Sequence, residues 1–324
     1  MNAVKPYILG IVMDPIESIN PKKDTTLAFM LEAQARGWKL AYMTMNDLHI
    51  VNGMAMADLQ FVKVYNDTSH WYEIESTESM ALSKLDVILM RKDPPFDMEY
   101  IMATYILERA ELEGALVVNS PRSLRDVYEK VYTAWFASCC PPSLFTRSKQ
   151  AIREFIVQHK KIVIKPTGKM GGRSVFVIAE GDPNTNVIIE EMTQNGTIYV
   201  QAQQYIPEIS TGGDKRILLI HGEPVGQAIA RIPGAGDHRG NLAAGATAVA
   251  VELTARDRWI CEQLKPTLIS KGLYFVGIDI IGDYMTEINV TSPTGVREID
   301  KFFHINVSAI FIDQLGILIK NRKH

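Results

Sequence analysis

The stretch FVGIDIIGDYMTEINVTSPTG, residues 275–295, decides how this chain is read. Two apolar strand-like runs flank Gly282-Asp283, and Asp279, Glu287 and Asn289 interrupt them with oxygen donors where core residues are expected. Oxygen ligands on strands suit Mg²⁺, which takes one or two carboxylates and fills its other positions with substrate phosphates and water. The turn decides whether these oxygens converge. A two-residue turn at Gly282-Asp283 opposes Asp279 to Thr286 and turns it away from Glu287. A three-residue loop Gly282 to Tyr284 with a bulge pairs 279 with 287 and 277 with 289. The bulged pairing is the expectation, with Asp279, Glu287 and Asn289 as candidate metal ligands. Alone, Asp279 would read as a hydrogen-bonded structural carboxylate.

Upstream, Gly168-Lys169-Met170-Gly171-Gly172-Arg173-Ser174 lets backbone N–H groups approach an anion beside two cations. It lacks the Gly-Lys-Ser/Thr ending of a Walker loop and lies between two strands, so it reads either as a phosphate cradle or as a flexible turn. Lys165 ends the apolar run IVIK, where a half-buried ammonium needs an anionic partner unless it snorkels from an edge. Arg91, Arg216, Arg231 and Arg239 supply guanidinium forks for carboxylate and phosphoryl oxygens. Each alone would more often be a surface ion pair. With the glycine-rich loop 234–245, which carries Asp237, His238, Arg239 and Asn241, they suggest a cationic cleft under a cover. No HExxH or GxSxG spacing occurs, which disfavours a zinc hydrolase or a serine hydrolase.

The 324 residues suit about two domains. With 34 basic against 37 acidic residues the net charge is −3, so no global basic field favours nucleic acid. Three cysteines, Cys139, Cys140 and Cys261, make neither a disulfide framework nor a usual zinc quartet, and point to a reducing compartment. The run Tyr7 to Met13 is too short and wrongly flanked for a signal peptide, and no uncharged apolar run reaches spanning length, so a cytoplasmic location is expected.

Strand-like runs at 7–13, 38–43, 86–90 and 115–118 alternate with helices that begin near Leu27 and Met98 and stop at Gly37 and Gly114. That pattern predicts a Rossmann-like α/β unit over residues 1–122. The acidic stretch 73–79 reads as a solvated loop. Asn119-Ser120-Pro121 reads as the start of a helix through about Ala137 that carries Lys130. Beyond it the signals become α+β: short strands at 162–165, 174–178 and 197–204, a hairpin around His221-Gly222-Glu223-Pro224, and a helix capped by Thr254 and Asp257 that Pro266 should bend.

The segments MRKDPPFD (90–97), SLRD (123–126), VIKP with MGG (163–172), GDKR (213–216), ARIP (230–233), RGNLAAG (239–245), FVGIDIIGD (275–283) and TEINVTSPTG (286–295) closely resemble bacterial glutathione synthetases, a family of ATP-grasp ligases. IVMDPI (11–16) and TAWF (133–136) match as well, so the likeness spans nearly the whole chain. It implies a Rossmann-like N-terminal domain, residues 1–122, and an ATP-grasp region, residues 123–324, with a small lobe about 130–202 and a large lobe about 203–324. It implies ATP held between the lobes, Mg²⁺ or Mn²⁺ on Asp279, Glu287 and Asn289, and γ-glutamylcysteine and glycine joined through an acyl phosphate. By position Lys130, Lys165, Gly171 and Gly172 meet phosphates, Gln203, Tyr205 and Ile206 form the adenine hinge, and Asp214 lies near the ribose. Arg91, Arg216, Arg231, Arg239 and Asn241 hold peptide and phosphoryl oxygens, with Arg231, Arg216, Lys165 and Asn241 acting in catalysis. Ser292 and Thr294 lie near the glycine. A symmetric homo-oligomer, a tetramer, is implied too, and the apolar stretch 305–319 would supply an interface or core. One departure is Gly168-Lys169 where the family reads Asp-Gly. The competing readings are another ATP-grasp carboxylate–amine ligase and a nucleotide-binding regulator without turnover.

Overall fold

Alternating strand and helix signals at the start of the chain become a mixed sheet in the computed structural model, which describes residues 5–168, 174–234 and 247–322. Strand β1 (Ile8–Val12) pairs in parallel with β2 (Lys39–Met43) on one side and β6 (Val87–Met90) on the other, and β6 pairs in parallel with β7 (Leu116–Val118). Helix α1 (Thr25–Ala35) connects β1 to β2; the Asp24 carboxylate accepts from Leu27 N at 2.6 Å and caps it. Helix α2 (Met98–Leu112) connects β6 to β7 and is capped in the same way by Asp97.

Three antiparallel strands, β3 (Leu48–Val51), β4 (Met54–Val64) and β5 (Tyr72–Ala81), extend this sheet beyond β2. Residues 73–79 are therefore strand, not loop. They pair only with β4 and are exposed on both faces, so the apolar alternation that marks a half-buried strand is missing.

The helix expected from Ser120 to Ala137 is broken. Helix α3 (Pro121–Asp126) ends early, residues 127–130 leave the helical path, and a 3₁₀ stretch runs Val131–Cys139. The break frees Glu129 for the next sheet: its carbonyl accepts from Ile288 N at 3.3 Å and its Oε1 from Val290 N at 3.0 Å. Asn119 does not cap α3 either. Its amide donates to Phe275 O (2.8 Å) and Val290 O (2.7 Å) and accepts from Phe275 N (3.0 Å), joining the end of β7 to the C-terminal sheet.

A four-stranded antiparallel sheet follows, in the order β10 (Phe176–Ala179), β9 (Lys161–Pro166), β11 (Val200–Gln204), β8 (Ser143–Thr146). Helices α4 (Lys149–His159) and α5 (Thr185–Thr193) cover one face, where Ile152, Ile156, Ile162, Ile164 and Ile189 form the core. Because side chains alternate along β9, burying Ile162 and Ile164 there turns Val163 and Lys165 to the opposite face.

The third sheet is antiparallel, ordered β14 (Thr247–Glu252), β13 (Glu223–Ile232), β12 (Asp214–Ile220), β15 (Phe275–Ile281), β16 (Tyr284–Asn289). His221 and Gly222, with φ of +52° and +79°, form the two-residue turn between β12 and β13. Helix α6 (Ala255–Ser270) starts at the expected reciprocal cap of Thr254 and Asp257 and continues through Pro266. Helices α7 (Val296–Phe303) and α8 (Val307–Arg322) follow. The apolar stretch 305–319 serves as core: Phe311 of α8 meets Phe29 of α1 (ring centroids 4.5 Å apart) and Phe275 of β15 (5.0 Å). Among the described residues no helix is long and apolar enough to cross a membrane.

Candidate active site

The β15–β16 hairpin pairs Asp279 with Glu287 and Gly277 with Asn289, as the bulged reading requires. The extra residue lies elsewhere than expected. Gly282-Asp283 is a two-residue turn with Ile281 opposite Tyr284, and the register shifts between Asp279 and Ile280, leaving Thr286 as the bulge. The bulge sets Glu287 beside Asp279 despite the short turn.

Arg216 on β12 lies directly across from Asp279, and Arg231 on β13 lies across from Asp214. Arg216 grips the Asp279 carboxylate through Nε–Oδ1 (2.5 Å) and Nη2–Oδ2 (3.0 Å), while Arg231 Nη2 reaches Asp279 Oδ2 at 2.9 Å and also pairs with Asp214. Gly277 makes room for this grip, since a Cβ there would lie 3.2 Å from Arg216 Cδ and 2.9 Å from Pro293 Cβ. Burial pushes the Asp279 carboxyl up, but the two guanidinium groups outweigh it and hold the carboxyl well below the usual range. For Asp214 burial wins over Arg231, and its carboxyl is raised. Asn289 donates Nδ2 to Asp279 Oδ2 at 3.4 Å, which leaves its carbonyl oxygen for a cation.

Lys130 caps the opposite wall and pairs with Glu287 Oε1 at 2.8 Å. Burial disfavours its charge, yet Glu287 more than compensates and its pKa is raised. Lys165, from the four-stranded sheet, donates to Gln203 Oε1 at 3.0 Å, and Gln203 in turn donates to Ser143 Oγ at 3.1 Å. Lys165 is lowered by burial, with Glu287, Asp214 and Asp279 opposing and Lys130 reinforcing the shift. Two sheets thus face one another across interleaved cations and carboxylates. Along residues 203–206, Gln203 and Ile206 are buried, Tyr205 N donates to Lys161 O at 3.1 Å, and the Lys161 ammonium lies over the Tyr205 ring.

On the side of the N-terminal sheet, Arg91 is buried where β6 ends and donates to Pro293 O at 3.0 Å; Arg216 Nη1 donates to the next carbonyl, Thr294 O, at 3.1 Å. The loop 291–295 is therefore held between two arginines, with Ser292 half-buried and Thr294 exposed. Glu129 holds its base, accepting from Thr291 N (3.2 Å) and Oγ1 (2.9 Å). Gly171, Gly172, Arg239, Asn241 and Lys169 lie outside the described residues.

Among the described residues no group of three or more His, Cys, Asp or Glu side chains could hold a metal by itself. The Asp279, Glu287 and Asn289 set, two carboxylates and an amide, fits a hard divalent ion that draws its remaining ligands from phosphates and water. Glu129 and Asn119 are the residues around this site that sequence reasoning missed. Asn119 was visible only as a helix start, and nothing in the local pattern marks Glu129 as the clamp on Thr291.

Two family models cover this architecture: the N-terminal domain of prokaryotic glutathione synthetase matches residues 8–125, and its ATP-grasp domain matches residues 129–304. The glutathione synthetase of Pseudomonas aeruginosa is 52% identical over 314 residues, spanning 97% of this chain and 99% of its own. That of Vibrio cholerae is 54% identical over 312 residues, spanning 96% and 98%. Among solved structures, D-cycloserine synthetase DcsG superposes with a TM-score of 0.68 at 15% identity, over 96% of this chain and 99% of that one. The ATP-grasp ligase PsnB, complexed with minimal precursor, Mg and ADP, gives 0.62 at 15% identity, over 97% and 98%; at such identities these two show the fold alone. With three sheets arranged as an ATP-grasp ligase, both domain models matched end to end and full-length relatives sharing half of its residues, the chain belongs to the prokaryotic glutathione synthetase family.

Proposed function

We propose that the protein is an ATP-dependent carboxylate–amine ligase that joins γ-glutamylcysteine to glycine, giving glutathione, ADP and phosphate. The observation that carries this reading is the buried cluster in which Asp279, Glu287, Arg216 and Arg231 on adjacent strands face Lys165 and Lys130. Such a cluster gathers polyphosphate, metal and a carboxylate in one place.

ATP lies between the four- and five-stranded sheets, its adenine on the Gln203 to Ile206 backbone and its ribose beside Asp214. Lys165 and Lys130 hold the phosphates, together with Gly171 and Gly172 of the glycine loop. Mg²⁺, when bound by Asp279, Glu287 and Asn289, neutralises charge on the transferring phosphoryl group. A cysteinyl carboxylate oxygen of the dipeptide attacks the γ-phosphorus and the bond to ADP breaks, leaving an acyl phosphate. Glycine, held near Ser292 and Thr294, then attacks the carbonyl carbon and phosphate departs. Arg231 and Arg216 meet the charge that develops on the carbonyl oxygen, with Arg239 and Asn241 on the peptide side. The Asp279 carboxylate pre-orients both arginines, so little reorganisation is needed when the negative charge forms.

Three free cysteines support a cytoplasmic setting. The exposed Ile50, Val51 and Met54 at the β3–β4 tip support assembly of the chain as a homo-oligomer, taken as a tetramer; a monomeric mass in sedimentation would refute that part.

The test is ADP release from purified protein given Mg²⁺, ATP, γ-glutamylcysteine and glycine, each omitted in turn, with the product identified by mass. Glutathione formed only in the complete mixture supports the reading. ADP released only with a different acid or amine moves the chain to another ligase activity, and nucleotide binding without turnover makes it a regulator.

A further inference from the structure

Strand β11 sends alternate side chains to opposite faces of the four-stranded sheet. Val200 and Ala202 enter the core beneath α4 and α5, so Gln201 and Gln203 turn with Lys165 to the face that looks toward the five-stranded sheet. Gln203 is engaged there at both ends of its amide: Oε1 accepts from Lys165 Nζ at 3.0 Å and Nε2 donates to Ser143 Oγ at 3.1 Å.

Gln201 is not engaged. It is 0% exposed, and its Oε1 and Nε2 are both buried without a hydrogen-bond partner among the described residues. Its neighbours on the adjoining strands are Phe145 of β8, which offers the amide no polar atom, and Lys165 of β9, whose ammonium is drawn diagonally to Gln203 instead. No other buried side chain among the described residues leaves a whole carboxamide unmatched. Burying an amide with neither end paired is costly, so a group of this kind calls for a partner from outside the chain.

The Gln203 to Ile206 backbone, on which the adenine was placed above, begins two residues further along the strand, about 7 Å from Gln201. A purine that pairs with that backbone through its N1 edge turns its N6 and N7 edge back along β11, toward Gln201. Adenine offers an N6 donor and an N7 acceptor there, and a glutamine carboxamide matches both at once. Guanine offers two acceptors, O6 and N7, so Oε1 meets a lone pair whichever way the amide is turned.

We infer that Gln201 is a specificity-determining residue for the nucleotide, its Nε2 donating to adenine N7 and its Oε1 accepting from N6. The inference rests on the ATP reading above. Seating the base is coupled to Lys165: when that ammonium turns to the phosphates it leaves Gln203, and the space it crossed opens to the purine. Gln201 thus takes no part in phosphoryl transfer and decides which purine is seated before transfer begins.

The experiment measures Kd by titration calorimetry with Mg²⁺ present and the acid and amine substrates omitted. The probes are ATP, GTP and 7-deaza-ATP, which replaces N7 by C–H and keeps N6 and the phosphates; the proteins are the wild type and Gln201→Met, an apolar side chain of similar length. Wild-type protein should bind 7-deaza-ATP about 10-fold more weakly than ATP, the loss expected for one buried hydrogen bond. Gln201→Met should bind ATP about 10-fold more weakly than the wild type does and should not distinguish ATP from 7-deaza-ATP, and its preference for ATP over GTP should shrink by a similar factor. The free variant should melt no lower than the wild type, because two unmatched polar atoms are removed; this separates recognition of the base from damage to the sheet. Equal affinity of the wild type for ATP and 7-deaza-ATP, or a 7-deaza penalty that persists in the variant, would overturn the inference and leave the ligase reading intact. A variant that melts well below the wild type would show the amide already satisfied within the fold, which also overturns it. A wild-type protein that binds no ATP would overturn the ligase reading, and the inference with it.

Discussion

Arg216 and Asp279 face each other across β12 and β15 and meet as a two-point ion pair, with Arg231 closing on the same carboxylate from β13. The carboxylate that would bind a metal is thus also the group that orients two arginines. Removing it changes charge in two directions at once: the metal loses a ligand, and two buried cations lose their counter-ion.

Asp279→Asn should therefore lose stability as well as activity. Leaving buried guanidinium groups unmatched costs about 3 kcal/mol or more. The folded Asp279 carboxyl is held below its unfolded value, so its stabilisation is complete above about pH 5 and is lost as the pH falls into the acid range. Urea unfolding from pH 3 to 7 should show wild type gaining stability over this range more steeply than the variant. Parallel curves would show that the ion pair is not felt by the fold.

Glu287→Gln removes a candidate metal ligand while leaving an amide to meet Lys130. A turnover loss of about 10²-fold or more at ordinary Mg²⁺ is expected, since the metal contributes several kcal/mol to the transition state. Full activity at low millimolar Mg²⁺ would remove Glu287 from the metal site.

Arg231→Ala separates chemistry from nucleotide binding. Its side chain meets Asp279, and its proposed role is to meet charge on the reacting carbonyl, so kcat should fall about 10²-fold or more while the apparent KM for ATP changes little. A raised KM with intact kcat would make it a binding residue only.

The phosphate role proposed for Lys165 needs its charge, and burial makes that charge easier to lose than in a free lysine. The basic limb of kcat/KM for ATP should thus lie below the ordinary lysine value, and Lys165→Arg should move it upward. An unmoved limb in the arginine variant would assign the titration to another group.

The thiols of Cys140 and Cys261 are each pushed up to about 12 by burial, and Cys139 is raised by the same cause. Thiolate is the reactive form, so iodoacetamide at pH 8 should leave all three unmodified in the folded protein and alkylate them in urea. Mass shifts under native conditions would contradict this burial.

Much of the site was readable because its residues break a pattern. Asp279, Glu287, Asn289 and Lys165 stand where apolar periodicity calls for core residues, and two-residue alternation on β9 turns Lys165 toward the others. The bulge at Thr286 was not readable, because a turn of either length fits the local sequence. Strand β5 escaped because an edge exposed on both faces carries no apolar stripe, and the break after Asp126 escaped because its cause, Glu129 bonding to Thr291, lies 162 residues away along the chain.

The contact of Phe311 with Phe29 has a consequence for how the chain is made. During synthesis the N-terminal sheet and α1 emerge first, but the flank of α1 at Phe29 is covered only when β15 and then α8 have followed, from far along the chain. Until then Phe29 faces solvent or a chaperone, and the first α/β unit waits, unfinished, for a helix made long after its own strands. A ribosome stalled before α8 would hold a chain whose three sheets are nearly complete and whose oldest segment is the least protected, so loss of α8 should surface as proteolysis near α1.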